Sequence, residues 1–190
     1  VGLRMGGNKP KQYLPLLGKT VIEYTLEKLL AESCLKKIIL VTHSEDNRWC
    51  ALPIIKNSRI EVITGGDQRC HSVFNGLQHL RAFCAKSDWV LVHDVARPCV
   101  AGSDITKLID TLKDDLVGGL VAVPVTDTIK QVDDDGLVVA TINRDCLWKA
   151  QTPQMFRFEL LLNAMADAID KGRNITDEAM AIELSGMLPK

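Results

Sequence analysis

Apolar positions along the chain follow two rhythms, one suited to helices and one to buried strands. Ile22, Leu26, Leu29 and Leu30 fall at i, i+4, i+7 and i+8, a single stripe on a helix. Thr20 followed by Glu23 is a capping box, so the spacing predicts that this helix opens just after Thr20. The run 37–42 is continuously apolar and β-branched, as expected of a strand covered on both faces in a parallel sheet. Further strands are predicted at 60–64, 89–93 and 119–123, with helices over about 72–83 and around Ile105, Leu108, Ile109 and Leu112. That alternation predicts an α/β fold with a doubly wound, mostly parallel sheet and right-handed crossovers. Segments 127–132 and 137–141 then flank Asp133-Asp134-Asp135-Gly136, a β-hairpin arm expected to protrude from the sheet. Two helices close the chain: one carries Leu161, Ala164, Met165 and Ala168, and the other follows Thr176 as its cap. Trp89 and Trp148 are expected in the core.

Composition narrows the class. At 46% hydrophobic, 190 residues bury a core and form one domain, 1–190. With 23 Lys plus Arg against 24 Asp plus Glu, the net charge of −1 argues against a nucleic-acid binder. No apolar run is long enough for a membrane span, and no signal-peptide pattern opens the chain. None of the six cysteines forms a C-x-x-C pair, so no zinc site is expected. Scattered thiols in a core-rich chain point to a reduced, cytoplasmic protein.

Candidate chemistry sits in loops. Residues 1–22 hold Arg4, Lys9, Lys11 and Lys19 with no acidic residue, interleaved with glycines. Backbone N–H groups, an Arg fork and a Lys point charge suit a polyphosphate, although a solvated cationic terminus has the same composition. The spacing is not that of a P-loop. Ligands of open α/β sheets collect beyond the carboxyl ends of strands. There the sequence places Gly65-Gly66-Asp67-Gln68-Arg69, the stretch His93 to Pro98, and the loop before Thr128. Gly66 and Asp67 suit a nucleoside lying on bare backbone, or an ordinary turn. Asp94 suits either a carboxylate near a metal–phosphate complex or a turn cap. His93 reads as a hydrogen-bonded structural residue more than as a base. Arg97 shares the rim with Asp94. Arg144 is an anion ligand or half of a surface ion pair. No nucleophile–base pair and no paired carboxylates stand out.

The ordered motifs Gly2-x-Arg4-Met5, Pro10-Lys11-Gln12-Tyr13-Leu14, Gly65-Gly66-Asp67-x-Arg69-x-x-Ser72-Val73 and His93-Asp94-x-Ala96-Arg97-Pro98 resemble one family. So do Asp127-Thr128-Ile129-Lys130, Asn143-Arg144, Leu147-Trp148-x-Ala150-Gln151-Thr152-Pro153-Gln154 and Ile175-Thr176-Asp177-Glu178-Ala179. The chain resembles the 2-C-methyl-D-erythritol 4-phosphate cytidylyltransferases over essentially its whole length. The family opens with a fuller glycine loop and continues past residue 190, so both ends are expected to be cut off.

The resemblance implies a Rossmann-like nucleotidyltransferase sheet and transfer of CMP from CTP to methylerythritol phosphate. It implies that Arg4 and Lys11 neutralise the transition state and that Arg144 holds the attacking phosphate. Gly2, Gly66, Asp67, Ser72 and Asp94 are implied on the nucleotide side. Asp94, Arg97, Thr128, Thr152 and Thr176, with Arg144, are implied on the sugar-phosphate side. Mg²⁺ is expected to arrive on the CTP phosphates rather than in a protein cage, and residues 126–147 are expected to form the arm of a homodimer. A ribitol 5-phosphate cytidylyltransferase and a non-catalytic nucleotide-binding relative are the alternatives.

Overall fold

The computed structural model describes residues 9–190; Gly2 and Arg4 lie outside them. A single 3-10 turn (Lys11–Tyr13) leads into a tight hairpin, β1 (Pro15–Leu16) and β2 (Lys19–Thr20), and then into α1 (Val21–Ala31). The capping box forms as predicted: the Glu23 carboxylate accepts from the Thr20 N–H at 2.8 Å and from its hydroxyl at 2.7 Å. Ile22 and Leu26 are buried with Tyr13 against Leu40 of β3 (Ile38–Thr42) and Ile60 of β4 (Ile60–Thr64). β3 and β4 pair in parallel, Leu40 opposite Val62.

The next helix, α2 (Arg69–Leu80), starts at Arg69 rather than near Ser72. The strand β5 (Trp89–Val92), the helix α3 (Gly102–Leu112) and the strand β6 (Gly118–Pro124) follow the predicted order. β7 (Ile129–Val132) and β8 (Val138–Ile142) form the predicted hairpin, with Gly136 at a φ of 80° in its turn. Asp133 Oδ1 accepts from the N–H groups of Asp135 and Leu137, which closes that turn. β9 (Trp148–Arg157), α4 (Phe158–Asp170) and α5 (Glu178–Leu184) complete the chain. Among the described residues no helix is long and apolar enough to cross a membrane.

β9 corrects the expectation of a mostly parallel sheet. It lies between β5 and β6 and is antiparallel to both, so the sheets are mixed. The pattern concealed it because Pro153 falls inside, and proline removes a ladder hydrogen bond from a central strand. The structure accommodates the proline at an irregularity. On β6 the pairing passes from Leu120 to Ala122, while on β9 it passes from Gln154 to Ala150. Gln151, Thr152 and Pro153 therefore bow out of the regular ladder just beyond the end of β5.

The inner half of β9 anchors the larger core. Phe156 is buried with Leu77 of α2, Leu161 and Met165 of α4, and Ile182 of α5. Trp148 departs from the expected core position: it lies at the outer end of β9, opposite Pro124, and is 61% exposed. Trp89 is half-buried, with the Arg157 guanidinium 3.9 Å from its ring centroid. The cap of α5 is Asp177, not Thr176; its side chain accepts from the Met180 N–H at 3.0 Å.

The β1–β2 turn holds a backbone mismatch. Leu17 and Gly18 have φ of 46° and 89°, as a type I′ hairpin turn requires. A leucine in left-handed geometry crowds its Cβ against the backbone, which costs about 1–2 kcal/mol. Leu17 is 91% exposed, so burial does not offset that strain. Leu17→Asn should raise the unfolding free energy by about 1 kcal/mol, seen as a higher urea midpoint at constant slope. An unchanged or lower midpoint would show the turn to be unstrained.

Candidate functional site

Three loops meet beyond the carboxyl ends of β4 and β5, beside the bowed middle of β9. The first, Gly65-Gly66-Asp67, joins β4 to α2. It is folded tightly onto the helix: a Cβ on Gly65 would stand 2.5 Å from Ser72 Oγ, and one on Gly66 would stand 2.5 Å from His71 Cβ. Only glycine permits this approach. The Ser72 hydroxyl accepts from the Gly66 N–H at 3.2 Å and faces the Gln68 carbonyl at 3.1 Å, so it shapes the loop. Asp67 is exposed at the loop's tip.

The second loop follows β5 and carries His93, Asp94 and Arg97. Asp94 is gripped from two sides. Its Oδ1 accepts from Arg69 Nε at 3.2 Å and its Oδ2 from Arg97 Nε at 3.1 Å. Burial alone would push this carboxyl up, but the Arg69 charge and the Arg97 hydrogen bond outweigh it. Together they hold Asp94 below the usual carboxylate range. Of the two roles the sequence left open to Asp94, its side chain does not take that of a turn cap; it ties two arginines together.

Thr152, in the bowed part of β9, reaches the same loop. Its hydroxyl accepts from the Asp94 N–H at 3.2 Å and lies 3.0 Å from His93 Nδ1. His93 Nε2 lies 3.1 Å from the Arg97 carbonyl, which can only accept, so Nε2 carries the hydrogen. Nδ1 is then the acceptor for the Thr152 hydroxyl. Burial pushes the His93 pKa down, although the Arg97 carbonyl works against this, and the ring is neutral. Both of its nitrogens are engaged within the fold, the structural role the sequence favoured.

The third loop opens α5. Glu178 is fully buried, and its carboxylate receives Arg69 Nη1 at 2.6 Å and Nη2 at 3.1 Å. Burial pushes Glu178 up and Arg69 pulls it back only in part, while the same bonds raise the Arg69 pKa against its own burial. Gln154, also buried, donates to Asp177 Oδ2 and accepts from the Ala179 N–H, both at 2.9 Å. Thr176 stands exposed beside this cluster.

Asp94, Arg97, Thr152 and Thr176 are thus gathered at one rim, adjacent to Gly66, Asp67 and Ser72 through Arg69. Lys11 is exposed, and no described hydrogen bond joins it to this rim. Its 3-10 turn is pinned by Tyr13, which shares a cluster with Val95 of the second loop, and Thr25 Oγ1 donates to the Val95 carbonyl at 2.8 Å. Thr128 and Arg144 are not joined to this rim by any described hydrogen bond. Both lie exposed at the base of the arm, where the Arg144 guanidinium donates to the Thr126 carbonyl. Among the described residues no group of three or more His, Cys, Asp or Glu could hold a metal ion.

Sequence reasoning placed Arg69 in a candidate loop cluster and Glu178 and Gln154 within the family motifs, but gave none of the three a role in the site. The available signal was an Arg at one helix start and a Glu at another, each within a motif already singled out.

Comparison with known proteins finds relatives over the whole chain. The family model for IspD, 2-C-methyl-D-erythritol 4-phosphate cytidylyltransferase, matches residues 1–190. The 2-C-methyl-D-erythritol 4-phosphate cytidylyltransferase of Hahella chejuensis is 46% identical over 189 residues, covering 100% of this chain and 78% of the relative. That of Pseudomonas syringae pv. tomato is 48% identical over 191 residues, covering 100% and 81%. The crystal structure of the Francisella tularensis enzyme superposes with a TM-score of 0.85 at 36% identity, covering 96% of this chain and 83% of that one.

The neutral His93 makes the rim acid-sensitive. A histidine whose pKa is depressed on folding contributes stability that is full above its unfolded value, about 6.5, and is lost as pH falls through the folded value. Protonation would also turn Nδ1 into a donor facing the Thr152 hydroxyl, leaving the Thr152 O–H without its acceptor. Unfolding free energy should therefore decline as pH is lowered below about 6.5, and His93→Gln should flatten that decline. Parallel pH profiles for the two proteins would contradict the assignment.

Proposed function

The chain belongs to the 2-C-methyl-D-erythritol 4-phosphate cytidylyltransferase family, and from that membership we propose that it transfers CMP from CTP to 2-C-methyl-D-erythritol 4-phosphate. The observation that carries this reading is the family match across the whole chain. In the reaction a phosphate oxygen of the acceptor bonds to the α-phosphorus of CTP. The bond from that phosphorus to the α–β bridging oxygen breaks, and pyrophosphate leaves. The products are 4-diphosphocytidyl-2-C-methyl-D-erythritol and pyrophosphate.

The nucleophile is already anionic near neutral pH, so the step needs positioning and cancellation of charge rather than a general base. The engagement of both His93 nitrogens within the fold agrees with that requirement. Lys11, with Arg4, neutralises the charge that builds at the α-phosphorus. Gly66 and Asp67 receive the nucleoside, and Ser72 supports them by holding the Gly66 backbone in place. Gly2 belongs to the same nucleotide side. Asp94, Arg97, Thr128, Thr152 and Thr176 line the sugar-phosphate side, with Arg144 gripping the attacking phosphate through its fork. Mg²⁺ enters on the triphosphate as part of the substrate; both Asp94 oxygens are already engaged by arginines, which does not suit a resident metal. The six free thiols support a cytoplasmic setting.

The domain spans 1–190, and the arm, 126–147, joins two copies of the chain. Among the described residues β7 and β8 pair only with each other, and a lone ribbon is marginal in water. Leu137, Val138 and Val139 near its tip stand more than half exposed, apolar surface that a second copy would cover. Arg144 at the arm's base then serves the partner's site, which accounts for its separation from the rim within one chain.

Pyrophosphate release assayed with each nucleotide and polyol phosphate tests the reading. CTP with methylerythritol phosphate should exceed ATP, UTP or ribitol 5-phosphate in kcat/KM by orders of magnitude; comparable values for ATP would refute it. Lys11→Ala should lower kcat far more than it weakens CTP binding, because its charge acts mainly on the transition state. The shared site is tested by mixing Lys11→Ala and Arg144→Ala homodimers, each nearly inactive. After random reassociation half the dimers are mixed and half of their sites intact, giving about a quarter of native activity. No recovery despite proven exchange would place both residues in one chain's site.

A further inference from the structure

We propose that Arg69 is a positioning residue for the sugar-phosphate half of the site, acting through Asp94 to set the direction in which Arg97 presents its guanidinium. The proposal rests on the reading of Arg97 as a sugar-phosphate contact.

Glu178, Arg69, Asp94 and Arg97 form a chain of alternating charge running from the interior to the rim. Its inner end cannot move freely. Glu178 is wholly buried, and Gln154 clamps the start of α5 through Asp177 and the Ala179 N–H. Arg69 occupies this anchor with both terminal nitrogens and has only Nε left, which it gives to Asp94 Oδ1. The guanidinium is planar, so seating two nitrogens on Glu178 fixes where the third points. Asp94 is therefore held in one orientation, and its remaining oxygen takes Arg97 Nε at 3.1 Å. Gln151 Oε1 accepts from Arg97 Nη1. Arg97 thus has two of its three nitrogens engaged by the fold, leaving Nη2 without a partner among the described hydrogen bonds. An exposed arginine so constrained presents a single donor edge toward an anion, with little side-chain entropy left to lose on binding. Each link in the chain is a charge-assisted bond, and only a fork can make the three contacts of Arg69 at once.

A lysine would neutralise Glu178 but could not also hold Asp94, so Arg69→Lys separates the two roles. In that variant the KM for methylerythritol phosphate should rise about ten-fold or more, because a misaimed ligand weakens the contact it makes. The KM for CTP and the thermal midpoint should change little by comparison. Arg97→Ala should raise the same KM. In the Arg97→Ala background, adding Arg69→Lys should have almost no further effect, since the residue it aims is gone. Glu178→Gln, which keeps shape and removes the anchor's charge, should reproduce the pattern in weaker form if Arg69→Lys does not fold. Equal rises in both KM values, or fully additive effects in the double variant, would make Arg69 a purely structural ion-pair partner. A readout independent of turnover is the ¹⁵N–¹H signal of Arg97 Nε. It should be distinct in the wild type and shifted or averaged in Arg69→Lys. An unmoved signal overturns the proposal even in an active enzyme. Absence of wild-type turnover with a shifted signal would instead count against the substrate reading alone.

Discussion

A carboxylate taken out of water must be met by an opposite charge with good geometry, and at Glu178 that charge is Arg69. The two residues lie far apart in sequence, at the first turns of α2 and α5. Their contact draws together the loop after β4, the loop after β5 and the segment leading into α5. A buried pair of this kind adds little net stability compared with well-packed apolar residues, while loss of one partner is strongly destabilising. Its use here is in geometry: it requires one arrangement of three surface segments.

The rim shows how a polar network is built outward from such an anchor. Asp94 turns the positive charge of Arg69 into a seat for Arg97, and Thr152 converts a strand irregularity into an acceptor for the Asp94 backbone. His93 closes the set by linking Thr152 to the Arg97 carbonyl. Each group has a partner, as low-dielectric surroundings demand. The loop that carries these side chains is thereby tied at several points to α2 and β9.

Much of this was legible in the residues. The Thr20–Glu23 box located α1, the apolar runs located β3, β4, β5 and β6, and the Asp-rich turn with Gly136 located the arm. These are local signals, and local rules decode them. β9 was not legible because its outer half is polar and exposed and its middle contains a proline. What makes it a strand is two neighbours supplied by distant segments. Trp148 was misplaced for the same reason: an aromatic beside an apolar leucine reads as core unless the strand's outward extension is known. For the site, motif order identified Asp94, Arg97 and Thr152, but not that they bond to one another. The burial of Glu178 has no local signature, since a Glu after an Asp cap equally suits a solvated first turn.

The late position of β9 bears on how the chain is made. β5 and β6 both find their hydrogen-bonding partner in residues 148–157, after the arm has been synthesised. Until then, the emerging chain presents strand edges with unpaired backbone groups, a template for association with other chains. The central sheet is therefore closed by one of the later segments to leave the ribosome. A chain interrupted within the arm would hold most of its apolar strands yet lack the one that joins β5 to β6. Premature termination there should leave material more prone to aggregate than to linger as a soluble fragment, and closure of this sheet becomes a natural point for a chaperone to wait on.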